Sequence, residues 1–412
     1  LWVSPLNQNP KNAFREFPEP HRKYSGYHGY WPVSSTKVDY RYGTDYELKK
    51  MVASAHSQDI NVILDYVAHH VHSEHFLAKQ HPEWFTQLDL PDGRKNIRLW
   101  DECRLTTWFD TFLPTFDFSK PEVVECMSDS ALLWITNYDL DGFRHDATKH
   151  IPESFQRRLT QKIKNQIIIP KNKSFYQIGE TYGNRELVGS YVNSGELNGQ
   201  FDFNLYFDLR SVLLNENESF TKLANSLQES LNQYGCHNLM GNISGNHDMA
   251  RFISYADGSL SSREDDKEAG WSRNIQVQDT AAYQKLSLLT AYIMTIPGIP
   301  VLYYGDEIGM PGAGDPDNRR MMKFDNLTNE EKETKSTATR LVKLRRSSMP
   351  LIYGDYKVIS INKDTYVFVR TYFEKSVIAV FNKSKQPEKI FFKLPSDIAN
   401  QAFQTNFGHS FI

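Results

Sequence analysis

The chain has 412 residues, enough for one large barrel with a smaller domain beside it. With 40% hydrophobic and 24% charged residues it has a globular make-up, and a formal charge of −3 gives no basis for binding nucleic acid or an anionic membrane. Aromatic residues reach 13%, which serves core packing or stacking against the apolar faces of sugar rings.

Residues 1–6 read as a short apolar strand, and a polar loop rich in Pro, Lys and Arg follows to about residue 27. The opening Leu1-Trp2-Val3-Ser4-Pro5 reads as the middle of a domain. Tyr27-His28-Gly29-Tyr30-Trp31-Pro32 is an aromatic knot, either a packed turn or a sugar-stacking platform. An amphipathic helix is predicted over 45–56 and a buried strand over 61–67, ending in Ala68-His69-His70. Residues 71–120 show no clean alternation of long elements, and so read as an irregular inserted subdomain.

Helix and strand then alternate. Helices are predicted over 121–137, 153–165, 220–233, 281–296 and 329–346, and strands over 140–146, 175–180, 200–208, 238–243 and 300–304. Such units imply parallel strands with helical crossovers. Seven strands fit a (β/α)8 barrel whose first unit is missing from this chain; an open doubly wound sheet would call for a Gly-rich phosphate loop, and none follows a strand. After residue 348 come four short predicted strands, 355–361, 365–371, 376–382 and 389–394, as expected of an antiparallel β-sandwich. The expected domains are therefore 1–70 and 121–348 for the barrel, 71–120 for the insertion and 349–412 for the sandwich. The apolar run 286–304 is broken by Pro297, Gly298 and Pro300, so it reads as helix, turn and strand rather than a membrane span. Cys103, Cys126 and Cys236 are too scattered for a disulfide scaffold and lack metal-ligand spacing. They leave the compartment open, with an extracellular or periplasmic setting expected; oligomeric state is not legible.

Polar residues collect where strands end: Asp65 and His69-His70, Arg144-His145-Asp146, Glu180, and Asn246-His247-Asp248. On a barrel these C-terminal ends carry the chemistry. Alternation puts Phe143 and His145 on one face of their strand and Arg144 and Asp146 on the other. The stretch alone leaves a surface pair capping the next helix open. With carboxylates at two later strand ends, glycoside hydrolysis by a carboxyl pair is the better reading. Arg144 keeps Asp146 ionised as the nucleophile, and Glu180, at the end of an apolar strand, holds a proton as general acid. Asp248 supports that acid, and His70 and His247 hold sugar hydroxyls. A rival reading pairs His70 and His72 with Lys149, another His and an Asp in a binuclear metal hydrolase. Asp315-Pro316-Asp317-Asn318-Arg319 starts like a calcium loop but lacks its Gly and closing Glu; an Asp and Arg reaching sugar hydroxyls fit better.

These stretches resemble the α-amylase family of glycoside hydrolases, family 13. Asp65-Tyr66-Val67-Ala68-His69-His70 resembles its first motif, Gly142 to His150 its second, Gly179-Glu180 the acid/base position, and Asn246-His247-Asp248 its fourth. The resemblance implies a (β/α)8 barrel, an inserted domain B, a β-sandwich domain C, and retaining hydrolysis of α-1,4-glucosidic bonds in starch-type glucans. It makes Asp146 the nucleophile, Glu180 the acid/base and Asp248 the transition-state stabiliser. Tyr30 stacks under the sugar, while His70, Arg144 and His247 hold its hydroxyls. Asp315 and Arg319 contact the next sugar on the non-reducing side, and Lys149 and His150 face the leaving group. No cofactor is needed for the chemistry. The family's usual calcium-binding Asn is His69 here, which counts against that site, and Thr115 stands where many members carry a charged residue. Lys149-His150 resembles α-amylases more than exo-acting α-glucosidases; neopullulanase or cyclomaltodextrinase specificity is the alternative, and a non-catalytic glucan-binding relative the second.

Overall fold

A computed structural model of the chain describes residues 1–396, 398–399 and 403–407. It divides into two compact units, Leu1–Phe201 and Asp202–Ile412.

The first unit is built on a five-stranded sheet. Its strands are β1 (Trp2–Val3), β4 (Ile63–Tyr66), β5 (Gly142–His145), β6 (Tyr176–Gly179) and β7 (Gly199–Gln200), adjacent in that order. Every pair is parallel. The loop expected over 7–27 contains a small antiparallel hairpin, β2 (Ala13–Arg15) with β3 (Lys23–Ser25). Helix Asp45–His56 forms as predicted, because Thr44 and Glu47 cap its first turn reciprocally. Helix Pro121–Tyr138 starts on a proline, stops at Asp139 in the left-handed conformation, and buries Val123, Met127, Ala131, Trp134 and Ile135 at helical spacing. Those side chains and Phe155, Leu159 and Ile163 of helix Glu153–Ile163 join Leu64 and Phe143 of the sheet in one core. Residues 71–120 contain one short helix, Phe76–Gln80, one 3-10 turn, Pro82–Trp84, and isolated bridges rather than strands.

In the second unit β8 (Gly241–Ile243) and β9 (Ile299–Val301) pair in parallel. The sheets described are thus five-stranded and two-stranded, and neither is closed on itself. The expected strand at 200–208 is corrected: only Gly199–Gln200 is extended, and Phe203–Leu214 is helix. Asp202 caps that helix by accepting from the Leu205 N–H, and Leu205, Leu209 and Val212 lie on its buried stripe. β10 (Asp355–Ile361), β11 (Thr365–Tyr372) and β12 (Lys375–Asn382) form an antiparallel sheet with β11 central. The expected fourth strand at 389–394 is not formed; it has no ladder partner, and Phe391 is 85% exposed. Residues 397, 400–402 and 408–412 of the expected sandwich lie outside the described residues.

Tyr366, Phe368 and Phe381 pack against Phe220, Leu289 and Tyr292 of the preceding helices in one core. Two buried arginines complete the join. Arg345 donates to the carbonyls of Met294 and Ile296, and Arg370 to that of Thr295, satisfying the C-terminal end of helix Ala281–Thr295. Among the described residues no helix is long and apolar enough to cross a membrane.

Gly142 is the tightest point of the first sheet, where a Cβ would lie 2.1 Å from the Tyr176 carbonyl oxygen and 2.6 Å from Ile63 Cγ2. Gly142→Ala is expected to lower unfolding stability by about 1–3 kcal/mol, measured by urea denaturation. A variant as stable as the parent would show that β5 can move aside.

Candidate active site

The register of the first sheet pairs Asp65 of β4 with Arg144 of β5. Arg144 is fully buried, and its Nη1 donates to both carboxyl oxygens of Asp65, at 2.8 and 2.9 Å, and to Asp146 Oδ1 at 2.9 Å. Its Nη2 pairs with Glu180 Oε2. One guanidinium therefore touches three carboxyls. Asp65 also accepts from the Tyr30 hydroxyl at 2.6 Å and the Trp2 indole N–H at 3.3 Å. The guanidinium carbon lies 5.2 Å from the Trp2 ring centre and 5.8 Å from that of Tyr30.

Burial pushes the Asp65 carboxyl up, and Arg144, Tyr30 and Trp2 pull against it. Arg144 is held well above the usual guanidinium range by Asp65, Glu180 and Asp146, which together outweigh its desolvation. Asp146 and Glu180 are 7% and 8% exposed, so both are nearly dry yet open to a ligand. Their backbones continue the ladder past the strand ends: Asp146 N–H donates to the Tyr66 carbonyl and Glu180 N–H to that of His145. The alternation expected for β5 is observed. Phe143 joins the apolar core, and His145 turns from Arg144 to bond Gln177 at 3.1 Å.

Asp65, placed at a strand end by the sequence but given no role there, is a member of this cluster. Trp2 carried no signal in the sequence. Arg144 was expected to tune Asp146 and to hold a sugar hydroxyl; in the structure it also pairs with Glu180, because both strand ends present their carboxyls to one cation.

In the second unit, Asp248 follows β8. Its Oδ2 lies 3.1 Å from His247 Nε2 and its Oδ1 3.3 Å from Arg319 Nη2, while Arg319 Nε lies 2.7 Å from Asp315 Oδ1. His247, Asp248, Asp315 and Arg319 are thus one chain of contacts. Beneath it, Arg251 is buried against Tyr303, its centre 4.0 Å from the ring, and pairs with Asp306 at 2.9 Å. It also donates to the Asn318 carbonyl, and the Asn318 amide holds the carbonyls of His247 and Met249. Arg251 and Asn318, which the sequence reading did not select, tie the His247–Met249 segment to the Asp315–Arg319 loop.

Several expected contacts differ. His70, read as a donor to sugar hydroxyls, donates Nε2–H to the Tyr30 carbonyl at 2.9 Å, and its Nδ1 lies 3.1 Å from His69 Nδ1. Lys149 reaches Asp101 of the insertion at 2.7 Å, and His150 is buried beside Trp100 and Phe109. The rival metal pair is not assembled, because His72 is enclosed by Phe14 and Phe112 and its Nδ1 accepts from the Glu74 N–H. Among the described residues no three His, Cys, Asp or Glu side chains are grouped to hold a metal. His69 packs its ring on Phe109, centres 4.6 Å apart, and an imidazole side chain has no oxygen to offer a hard cation such as calcium.

A family model described as "Alpha amylase, catalytic domain" matches residues 1–394. The chain belongs to the α-amylase family. Among curated α-amylase relatives, a cyclomaltodextrin glucanotransferase from Paenibacillus macerans is 25% identical over 93% of this chain and 51% of its own length. A cyclomaltodextrinase from Thermoanaerobacter pseudethanolicus is 26% identical over 88% of this chain and 59% of its own. The chain thus spans between half and three-fifths of these relatives' lengths. The crystal structure of an α-amylase from Geobacillus thermoleovorans complexed with acarbose is 28% identical, with a TM-score of 0.75 over 93% of this chain and 76% of that one. An Anoxybacillus α-amylase structure gives 27%, 0.77, 93% and 75%.

The site's charges and imidazoles make two outcomes measurable. Arg144→Met removes the one cation among three buried carboxyls, and the variant is expected to lose about 3–5 kcal/mol of stability in urea titration. An unchanged midpoint would show that the carboxyls do not depend on it. The second concerns imidazoles. Burial lowers His70, His72, His75, His145 and His150 to about 4 from an ordinary value of 6.5, and holds His69 well below that ordinary value too. Between those values the unfolded chain binds more protons than the folded one, so stability is present above about pH 6.5 and is lost as pH falls toward 4. The denaturation midpoint should therefore drop between pH 7 and pH 5, each imidazole contributing on the order of 1 kcal/mol. A flat profile would contradict their burial.

Proposed function

We propose that this chain is a retaining α-glucan hydrolase. The carrying observation is the pair of carboxyls, Asp146 and Glu180, held by the two terminal nitrogens of one buried guanidinium at adjacent strand ends. A pair bridged by one guanidinium suits the ~5–5.5 Å spacing of retaining enzymes better than the ~6.5–9.5 Å that leaves room for a water. Three carboxyls around one cation carry surplus negative charge, which favours keeping one proton in the cluster. Asp65 accepts from Arg144, Tyr30 and Trp2, and in this reading Glu180 carries a proton as the general acid.

In this reading Asp146 attacks the anomeric carbon while Glu180 protonates the departing glycosidic oxygen. Glu180 then takes a proton from the water that releases the glycosyl group. Asp248, positioned by His247 and Arg319, stabilises the positively charged transition state. Tyr30 is the stacking ring. Asp315 and Arg319 meet the next sugar on the non-reducing side, and Lys149 and His150 the leaving-group side. The chemistry calls for no cofactor, and the imidazole of His69 stands in place of a calcium ligand. We further propose that the seven parallel strands belong to a (β/α)8 barrel, with 71–120 as domain B and 349–412 as a β-sandwich domain C. The names of the relatives keep cyclodextrin cleavage and glucanosyl transfer open as finer specificities.

Incubation with soluble starch, maltoheptaose, cyclodextrin and pullulan, with product analysis, tests the function. Release of maltooligosaccharides with the α configuration is expected. Asp146→Asn and Glu180→Gln should each lower kcat by roughly a thousandfold or more. Full activity in Asp146→Asn would overturn the mechanism, and no release from any glucan would overturn the hydrolase reading.

A further inference from the structure

The turn after Asp146 is shared by both carboxylate-bearing strand ends. Ala147 N–H lies 3.4 Å from Glu180 Oε2, and Lys149 N–H donates to the Glu180 carbonyl at 3.3 Å. Thr148 Oγ1 accepts from Glu180 N–H at 3.1 Å and donates to the His145 carbonyl at 3.0 Å. The turn is not at rest by itself. Ala147 has φ of 49°, a left-handed conformation that a residue with a Cβ keeps only when its surroundings enforce it.

Those surroundings come from the insertion. Arg104 Nη1 donates to the Lys149 carbonyl at 2.6 Å and lies 2.8 Å from the Tyr191 hydroxyl. That hydroxyl donates to the Ile151 carbonyl at 2.9 Å. In the other direction His150 Nδ1–H donates to the carbonyl of Arg104 at 2.7 Å. Arg104 therefore grips the turn through its side chain and its backbone at once. Asp101, three residues earlier, adds the Lys149 ammonium at 2.7 Å, but its side chain is 89% exposed, so this contact is screened by water. The half-buried guanidinium is the firmer hold: its Nη1 alone donates to both acceptors, and the planar group fixes the direction of each bond more tightly than a freely rotating ammonium would.

We propose that Arg104 is a positioning residue for Glu180: from the insertion, and through the 147–151 turn, it sets where the acid/base stands against the leaving group. The proposal rests on the hydrolase reading for its chemistry, while the latch itself is a matter of hydrogen bonds. A displaced acid/base should matter most when the departing group needs a proton. A sugar hydroxyl leaves only with protonation; fluoride leaves without it.

Arg104→Gln and Arg104→Lys should therefore be compared with the parent enzyme on maltoheptaose and on α-maltosyl fluoride. For Arg104→Gln, kcat/KM on maltoheptaose, which reports the first glycosyl transfer, is expected to fall roughly 10- to 100-fold, with kcat/KM on α-maltosyl fluoride within about threefold of the parent. Arg104→Lys should fall between the two. Amide hydrogen exchange in a peptide covering residues 147–151 should quicken in Arg104→Gln, and this reads the latch whether or not glucan is cleaved. Equal losses of kcat/KM on both substrates, or an unchanged kcat/KM on maltoheptaose, would overturn the positioning role. Unchanged exchange would overturn the latch. A parent enzyme that turns over neither substrate would overturn the hydrolase reading instead, with exchange still deciding the latch.

Discussion

One buried cation organises the first unit. Arg144 cannot be desolvated alone, since an unpaired charge in the interior costs several kcal/mol or more. The sheet supplies what it needs: Asp65 across the β4–β5 ladder, Asp146 two residues along its own chain, and Glu180 at the end of β6. Each of these is a strand-end residue, so the pairing works only if the register of three strands is correct. A slip by one residue would turn Arg144 into the apolar layer that Phe143 occupies. The charge cluster thus specifies the alignment of the sheet that carries it. It also leaves more negative than positive charge in a dry place, which is the condition under which a carboxyl keeps its proton.

Much of this is legible in the amino-acid sequence, and for identifiable reasons. Helix Asp45–His56 announces itself because Thr44 and Glu47 make a reciprocal cap, and helix Asn329–Ser347 because Thr328 and Glu331 do the same. β4, β5 and β6 are short apolar runs that each end abruptly in charge, so the strand and its polar terminus point to each other. The run at 200–208 misleads because its apolar residues are dense enough to suit either period, and the deciding feature is the cap formed by Asp202. The run at 389–394 has strand composition without a neighbour to pair with; composition does not report partners. In the site, residue types and positions are readable while their partners are not. That Arg144 reaches Glu180, or that His70 reaches the Tyr30 carbonyl, depends on side-chain directions across strands far apart in the chain.

The insertion of residues 71–120 shows how a segment with little regular structure is held in place. Its anchors are aromatic and imidazole rings rather than a ladder. Phe109 lies against His69, His70 and His150, and Phe112 against Trp31 and His72. Imidazoles serve here as flat, mostly neutral packing surfaces with one or two directed hydrogen bonds each. Such an anchor combines the area of an aromatic ring with the aim of a polar group, which allows an irregular backbone to present Arg104 to a specific turn.

Arg345 and Arg370 tie helix Ala281–Thr295 to helix Asn329–Ser347 and to the C-terminal antiparallel sheet by grasping main-chain carbonyls only. A carbonyl oxygen is the same whatever side chain its residue bears. The hydrogen bonds to residues 294–296 therefore do not depend on which side chains these residues bear, although their packing does, since all three are buried and Ile296 belongs to the shared core. The two arginines have no such freedom. In its hydrogen bonds, though not in its packing, the junction is lopsided: indifferent to side-chain identity on the accepting side, strict on the donating side, and invisible to any inspection of matched side-chain pairs.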